Sequence, residues 1–184
     1  MSNPLKRAAG RLRHFVLTRG NGVQSPFAYN FAWQVVCNKS AYYAYLDLSE
    51  QMRDLAPRER KLAKLLFRLA NFAQPSLLCL DSSLPDAYAA CLQRGCTAAR
   101  LAPLPLEGEA HRLLVVSTAP PLAPASWQPG SMIVQPGIHD SRADLERWQQ
   151  LAAMPQATLT FDLYDCGIAI AAPDRYKQHF NINF

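Results

Sequence analysis

The stretch Leu77-Leu78-Cys79-Leu80-Asp81-Ser82-Ser83-Leu84-Pro85-Asp86-Ala87-Tyr88 decides the fold. Four apolar residues in a row predict a short strand buried on both faces. Asp81-Ser82-Ser83 predicts a tight turn, and Pro85 onward the start of a helix. In a doubly wound α/β protein the first such unit normally holds a nucleotide-like ligand, because glycines in the turn let it reach bare backbone. This turn has no glycine.

Downstream, short apolar runs alternate with turns. The helix after Pro85 runs to Leu92 and ends at Gly95. Thr97–Leu101, Leu113–Val116 and Met132–Val134 read as further parallel strands. Ala119–Gly130 is a proline-rich connection with little room for a helix. Asp140–Met154 reads as a helix capped by Asp140 or Ser141, with Leu145, Trp148 and Leu151 inward. Thr158–Leu163 and Ile168–Ala171 around Asp165-Cys166-Gly167 predict an antiparallel hairpin at the sheet edge. The alternation of His179–Phe184 suits a last strand.

Upstream the pattern is helical. Leu5, Leu12, Phe15 and Val16 mark an amphipathic helix over 5–19, ended by Gly20-Asn21-Gly22. Ser25-Pro26 opens a second helix through Phe27, Phe31 and Trp33, whose three aromatics predict a packing face. Leu46–Leu55 reads as a third helix. Pro57 opens a fourth, with Leu62, Leu65, Leu66, Leu69 and Phe72 inward and Arg58, Arg60, Lys61, Lys64 and Arg68 on the wet side. The chain divides into a helical segment, 1–75, and an α/β part, 76–184, forming one structural unit.

Composition bounds the rest. With 184 residues, 49% apolar and 18% charged, the chain is an ordinary globular protein long enough for a core. The net charge of +5 is concentrated near the start, where no acid precedes Asp47. Such a basic arm either binds phosphate groups or forms a solvated helix face. Five cysteines without CxxC spacing point to free thiols in a reducing, cytoplasmic compartment. No apolar run suggests a secretory signal or a membrane span.

Several runs share a resemblance. Arg19-Gly20-Asn21-Gly22-Val23-Gln24-Ser25-Pro26-Phe27 resembles the HGVHSPF signature of Bacteroidetes-type class I S-adenosylmethionine-dependent methyltransferases. Tyr42-Tyr43-Ala44-Tyr45, Lys64–Asn71, Ile138-His139, Thr158–Gly167 and Lys177–Phe184 resemble the same family, in the same order. The resemblance covers most of the chain outside roughly 90–130. It implies a reduced, Rossmann-like methyltransferase sheet, mostly parallel, with a C-terminal antiparallel hairpin behind a helical segment. One strand-helix unit is missing between Leu101 and Leu113.

The family's functional positions are replaced. Its strand-turn-helix resembles ELGTSLGIST; here Cys79 stands at the first acid, Asp81 at the first glycine and Pro85 at the second. The acid after the second strand falls at Ala102-Pro103, the next at Ser117, and the paired acids at Gln135-Pro136-Gly137. The signature's two histidines are Asn21 and Gln24. The pocket implied by the resemblance is marked by Asp81, Ser82, Ser83, Ser117 and His139. Its losses imply a protein without catalysis that binds no cofactor and works as a binding or scaffold protein for an unidentified protein partner; a homodimer through its aromatic helices is compatible with this. If the ancestral site survives, S-adenosylmethionine is the cofactor and the protein is an active methyltransferase with a remodelled pocket. A third reading is a nucleic-acid module using the basic helices. No residue pattern suggests a metal site. The bland reading of Asp81 and Ser82 is a helix cap, with Asp86 favouring the helix dipole. That of His139 is a structural hydrogen bond.

Overall fold

A computed structural model describes residues 25–103, 112–119, 127–182 and 184. The predicted helix over 5–19, its Gly20–Gly22 stop, His14 and His111 lie outside the described residues, as do the first two thirds of the signature run (19–24) and most of the connection after Ala119.

The helices are α1 (Pro26–Phe31, continued by a π turn over Ala32–Val36), α2 (Ala44–Asp47), α3 (Pro57–Ala73), α4 (Asp86–Gly95) and α5 (Arg142–Ala153). The strands are β1 (Leu77–Leu80), β2 (Arg100–Pro103), β3 (Leu113–Val116), β4 (Met132–Pro136), β5 (Leu159–Asp162), β6 (Cys166–Ile170) and β7 (Gln178–Asn181). They form one seven-stranded sheet in the order β2-β1-β3-β4-β6-β5-β7. Only β6 runs against the others, between β4 and β5. The architecture is therefore α/β with a mostly parallel mixed sheet, compatible with a Rossmann-like fold.

Alternation along the strands builds two cores. Leu78, Leu114, Val116, Val134, Phe161 and Ile168 face α1, α3 and α4 in the larger one. Leu77, Cys79, Val115, Ile133 and Ala169 face α5, which contributes Trp148 and Leu151. Residues from the helical segment and the sheet share the larger core, where the Phe31 and Phe161 rings lie 4.8 Å apart.

α3 is the spine of the larger core. Pro57 occupies its first turn, and Glu59 accepts from the Ala56 N–H at 2.8 Å. Gln74, in the left-handed region, ends it. Its predicted wet side is only partly wet: Arg60 and Lys61 are exposed, Arg58 and Lys64 half-buried. Arg68 is buried and donates from Nε to the Val35 carbonyl at 2.6 Å and from Nη2 to that of Val36 at 3.0 Å. These carbonyls end the π turn and need donors. Arg60 donates to the carbonyls of Met52, Arg53 and Leu55. That clasp explains why the predicted helix Leu46–Leu55 is only α2 followed by turns: side-chain donors satisfy its carbonyls, and Ser49 Oγ takes the carbonyl of Leu46.

Other expectations shift in detail. Phe27 and Phe31 pack inward as predicted, but Trp33 is 61% exposed, its ring beside that of Tyr29. The second strand starts at Arg100 rather than Thr97, because Thr97–Ala99 form a turn closed by the Ala99 N–H on the Cys96 carbonyl. The hairpin is not the sheet edge: β7 adds a parallel strand outside β5. Ser141, not Asp140, caps α5, accepting from the Asp144 N–H at 3.1 Å.

Candidate functional site

The carboxyl ends of β1, β3 and β4 open into one crevice, where an α/β sheet places its ligand. It encloses about 680 Å³, within the range of small-molecule sites. Ser82–Asp86 and Thr118 form one wall, Pro136-Gly137 and Asp140 another, and Arg58, Glu59, Lys61 and Leu62 of α3 with Phe184 the third.

The β1 turn is closed on itself. Asp81 Oδ1 accepts from Ser83 N at 3.0 Å and Ser83 Oγ at 2.8 Å. Its Oδ2 accepts from Ser117 Oγ at 3.1 Å and Thr118 Oγ1 at 3.2 Å. The Ser83 N–H, followed by these hydroxyls and against some burial, holds the carboxyl below its ordinary value. Asp81 therefore does not cap α4. That helix starts at Asp86 behind Pro85, without a side-chain cap, and Ser82 points into the crevice mouth. Asp86 is in the first turn, as expected.

Across the crevice, Arg58 Nη1 donates to both carboxylate oxygens of Asp140 at 2.9 Å. Its Nη2 donates to the Asp165 carbonyl at 3.1 Å, and its Nε lies 3.0 Å from Asp165 Oδ1. Gly137, at φ +70°, turns β4 back so that Asp140 reaches this clamp. The lining carries five carboxylates, Glu59, Asp86, Asp140, Asp144 and Asp165, against Arg58 and Lys61. Burial opposes ionisation of Asp144, yet Ser141 and Arg147 hold its carboxyl below the ordinary value.

The five positions named from the sequence thus separate. Ser82 and Ser83 line the crevice. Asp81 and Ser117 lie behind that wall, bonded to one another. His139 faces away: its Nε2 is 2.9 Å from Asp162 Oδ2, and its ring stacks on Tyr164 at 4.9 Å. It is a structural hydrogen-bonder, and no histidine lines the crevice among the described residues. Arg58 and Asp165 are the site residues that sequence reasoning missed. Arg58 shared the basic period of α3, and Asp165 sat in an ordinary turn, so neither carried a signal.

The chemical repertoire is narrow. Cys166, beside the crevice, has its thiol pushed up to about 12 by burial and then by Asp165, so it is no nucleophile at neutral pH. Tyr88 is likewise raised, by burial first and then by Glu59. No group of three or more His, Cys, Asp or Glu able to hold a metal occurs among the described residues. Among them, no helix is long and apolar enough to cross a membrane. No protein-family model matches the chain, and no curated protein matches it.

Proposed function

We propose that this chain is a shortened, diverged relative of class I S-adenosylmethionine-dependent methyltransferases that acts by binding a partner rather than by methyl transfer. The observation that carries this reading is the saturated carboxylate of Asp81. A cofactor turn needs free N–H groups and no side chain under the ligand. Here the Ser83 N–H is spent on Asp81, and a negative charge stands where backbone is wanted. The residues present do not fit S-adenosylmethionine. Ser117 bonds Asp81 instead of offering an acid, and Gln135 points its amide at the Asp144 carbonyl. The order of the sheet, with one antiparallel strand inserted near its C-terminal side, supports descent from that fold.

Calorimetric titration with S-adenosylmethionine tests the reading: no heat of binding is expected, and micromolar affinity would overturn it. One observation favours a second reading, an active methyltransferase with a remodelled pocket: the crevice is open and not filled by side chains. That reading requires the same titration to succeed and methyl transfer to be detected. A basic nucleic-acid face along α3 gains little support, because Arg58, Arg60 and Arg68 are spent on internal partners.

A further inference from the structure

A second recess, larger than the crevice at about 1060 Å³, lies on the far side of Lys61 and Phe184, which line both. Its charge is the reverse of the crevice's. Lys39, Lys61, Lys64 and Arg68 line it, and no carboxylate side chain does among the described residues. Arg68 is buried, and among the described residues its guanidinium meets neutral acceptors only: two carbonyls and Tyr45 Oη, the last at 3.1 Å. Neither it nor Lys39 or Lys64 has an ion pair among the described residues. A buried cation without an ion pair among the described residues, with lysines at the rim, focuses positive potential into the recess.

The walls are aromatic. Tyr42 and Tyr45 are held edge-on to one another and to Phe67, at centroid distances of 5.3 to 5.4 Å. Arg68 and the Lys64 carbonyl fix the Tyr45 hydroxyl, and Asn38 Nδ2 donates to Tyr42 Oη at 3.1 Å. These rings are therefore preorganised. Tyr43, at the rim, is 89% exposed and offers a free face. Lys64 Nζ lies 5.3 Å over the Tyr45 ring, so the open face is that of Tyr43. Such a face, beside cations without ion pairs among the described residues, suits a ligand with a planar ring and several negative charges. The volume, near the upper end of small-molecule sites, suits one small molecule.

We infer that this recess, between the π turn, α2 and α3, binds a free nucleoside polyphosphate. The phosphates meet Lys39, Lys64 and the field of Arg68, and the base stacks against the tyrosine wall. The site is separate from the crevice and does not depend on the function proposed for it.

The test is calorimetric titration of the full chain with ATP in magnesium-free, low-salt buffer, with adenosine, inorganic triphosphate and a short single-stranded oligonucleotide as further arms. Saturable ATP binding is expected, with adenosine and triphosphate each at least about tenfold weaker. Lys39→Glu and Lys64→Glu should each weaken ATP about tenfold, since each replaces attraction by repulsion. Tyr43→Ala should cost about tenfold by loss of stacking. Circular dichroism confirms that each variant is folded. ATP should also slow the labelling of Cys37, which lines the recess. No ATP binding, an unchanged affinity in both lysine variants, or unaltered Cys37 labelling with ATP bound would overturn the proposal. Oligonucleotide binding about a hundredfold tighter than ATP would overturn it in favour of a nucleic-acid strand.

Discussion

Asp81 Oδ2 accepts a hydrogen bond from Ser117 Oγ at 3.1 Å, across 36 residues of sequence. This contact ties the turn after β1 to the end of β3 and fixes the wall of the crevice. It places an ionised group at the centre of the strand-end surface.

That group makes stability depend on acid. The fold lowers the pKa of Asp81, so its contribution is fully present above the unfolded value, near 4. It is lost as the pH falls from there through the lowered folded value. The wild type should lose stability in that window more steeply than Asp81→Asn. Urea unfolding at several pH values checks this, and parallel profiles would refute it. At neutral pH, Asp81→Ala should cost about 1 kcal/mol, chiefly at Ser117 and Thr118, since water reaches the Ser83 donors.

Arg58 joins α3 to the far side of the sheet through Asp140 and Asp165. Arg58→Met leaves the buried Asp165 without its cation. A loss of about 2 kcal/mol is expected, below the range for fully buried pairs because Arg58 is partly exposed. Arg58→Lys should recover only part, since an ammonium cannot span two carboxylates and a carbonyl. Adding Asp165→Asn to Arg58→Met should restore some stability. If the double variant is no better than the single one, the pairing is not what holds α3 there.

Two glycines mark close approaches. A Cβ on Gly167 would lie 2.5 Å from the Trp148 ring, and one on Gly95 2.3 Å from the Phe67 carbonyl oxygen. Gly167→Ala should cost about 1–3 kcal/mol by pushing α5 off β6. Gly95→Ala should cost at least as much, since backbone of α3 must shift to admit it. Thermal unfolding measures both; neutral substitutions would show that these approaches relax easily.

The thiols should separate by burial. Burial pushes Cys79 and Cys91 up to about 11, and Cys166 further. Cys96 is also buried. At mildly alkaline pH the folded protein should react with a thiol reagent at Cys37 first, and at the other four only as it unfolds. Rapid modification of all five in the native state would contradict this.

Much of the fold was legible in the chain. The continuous runs at Leu77, Leu114 and Met132 read as buried strands, and the leucine period from Leu62 to Leu69 as a core-facing helix. The hairpin was legible, but its turn was misplaced: it falls at Leu163–Asp165, with Tyr164 at φ +68°, and Cys166 and Gly167 already pair within β6. The candidate site was less legible. Of the five positions read from the sequence, only Ser82 and Ser83 line the crevice, because a strand end fixes where a residue sits and not which way its side chain turns.

Local chemistry set the elements: apolar period, turn residues, the cap at Ser141. The fate of the charges was decided only in three dimensions. Arg58, Arg60 and Arg68 share one helix and one pattern in the sequence. One clamps Asp140 and Asp165, one takes the carbonyls before α3, and one lies buried against the π turn. Those partners stand up to 107 residues away. A cation's role is fixed by which acceptors the fold leaves unsatisfied within its reach, and that is a property of the packed chain rather than of any stretch of it.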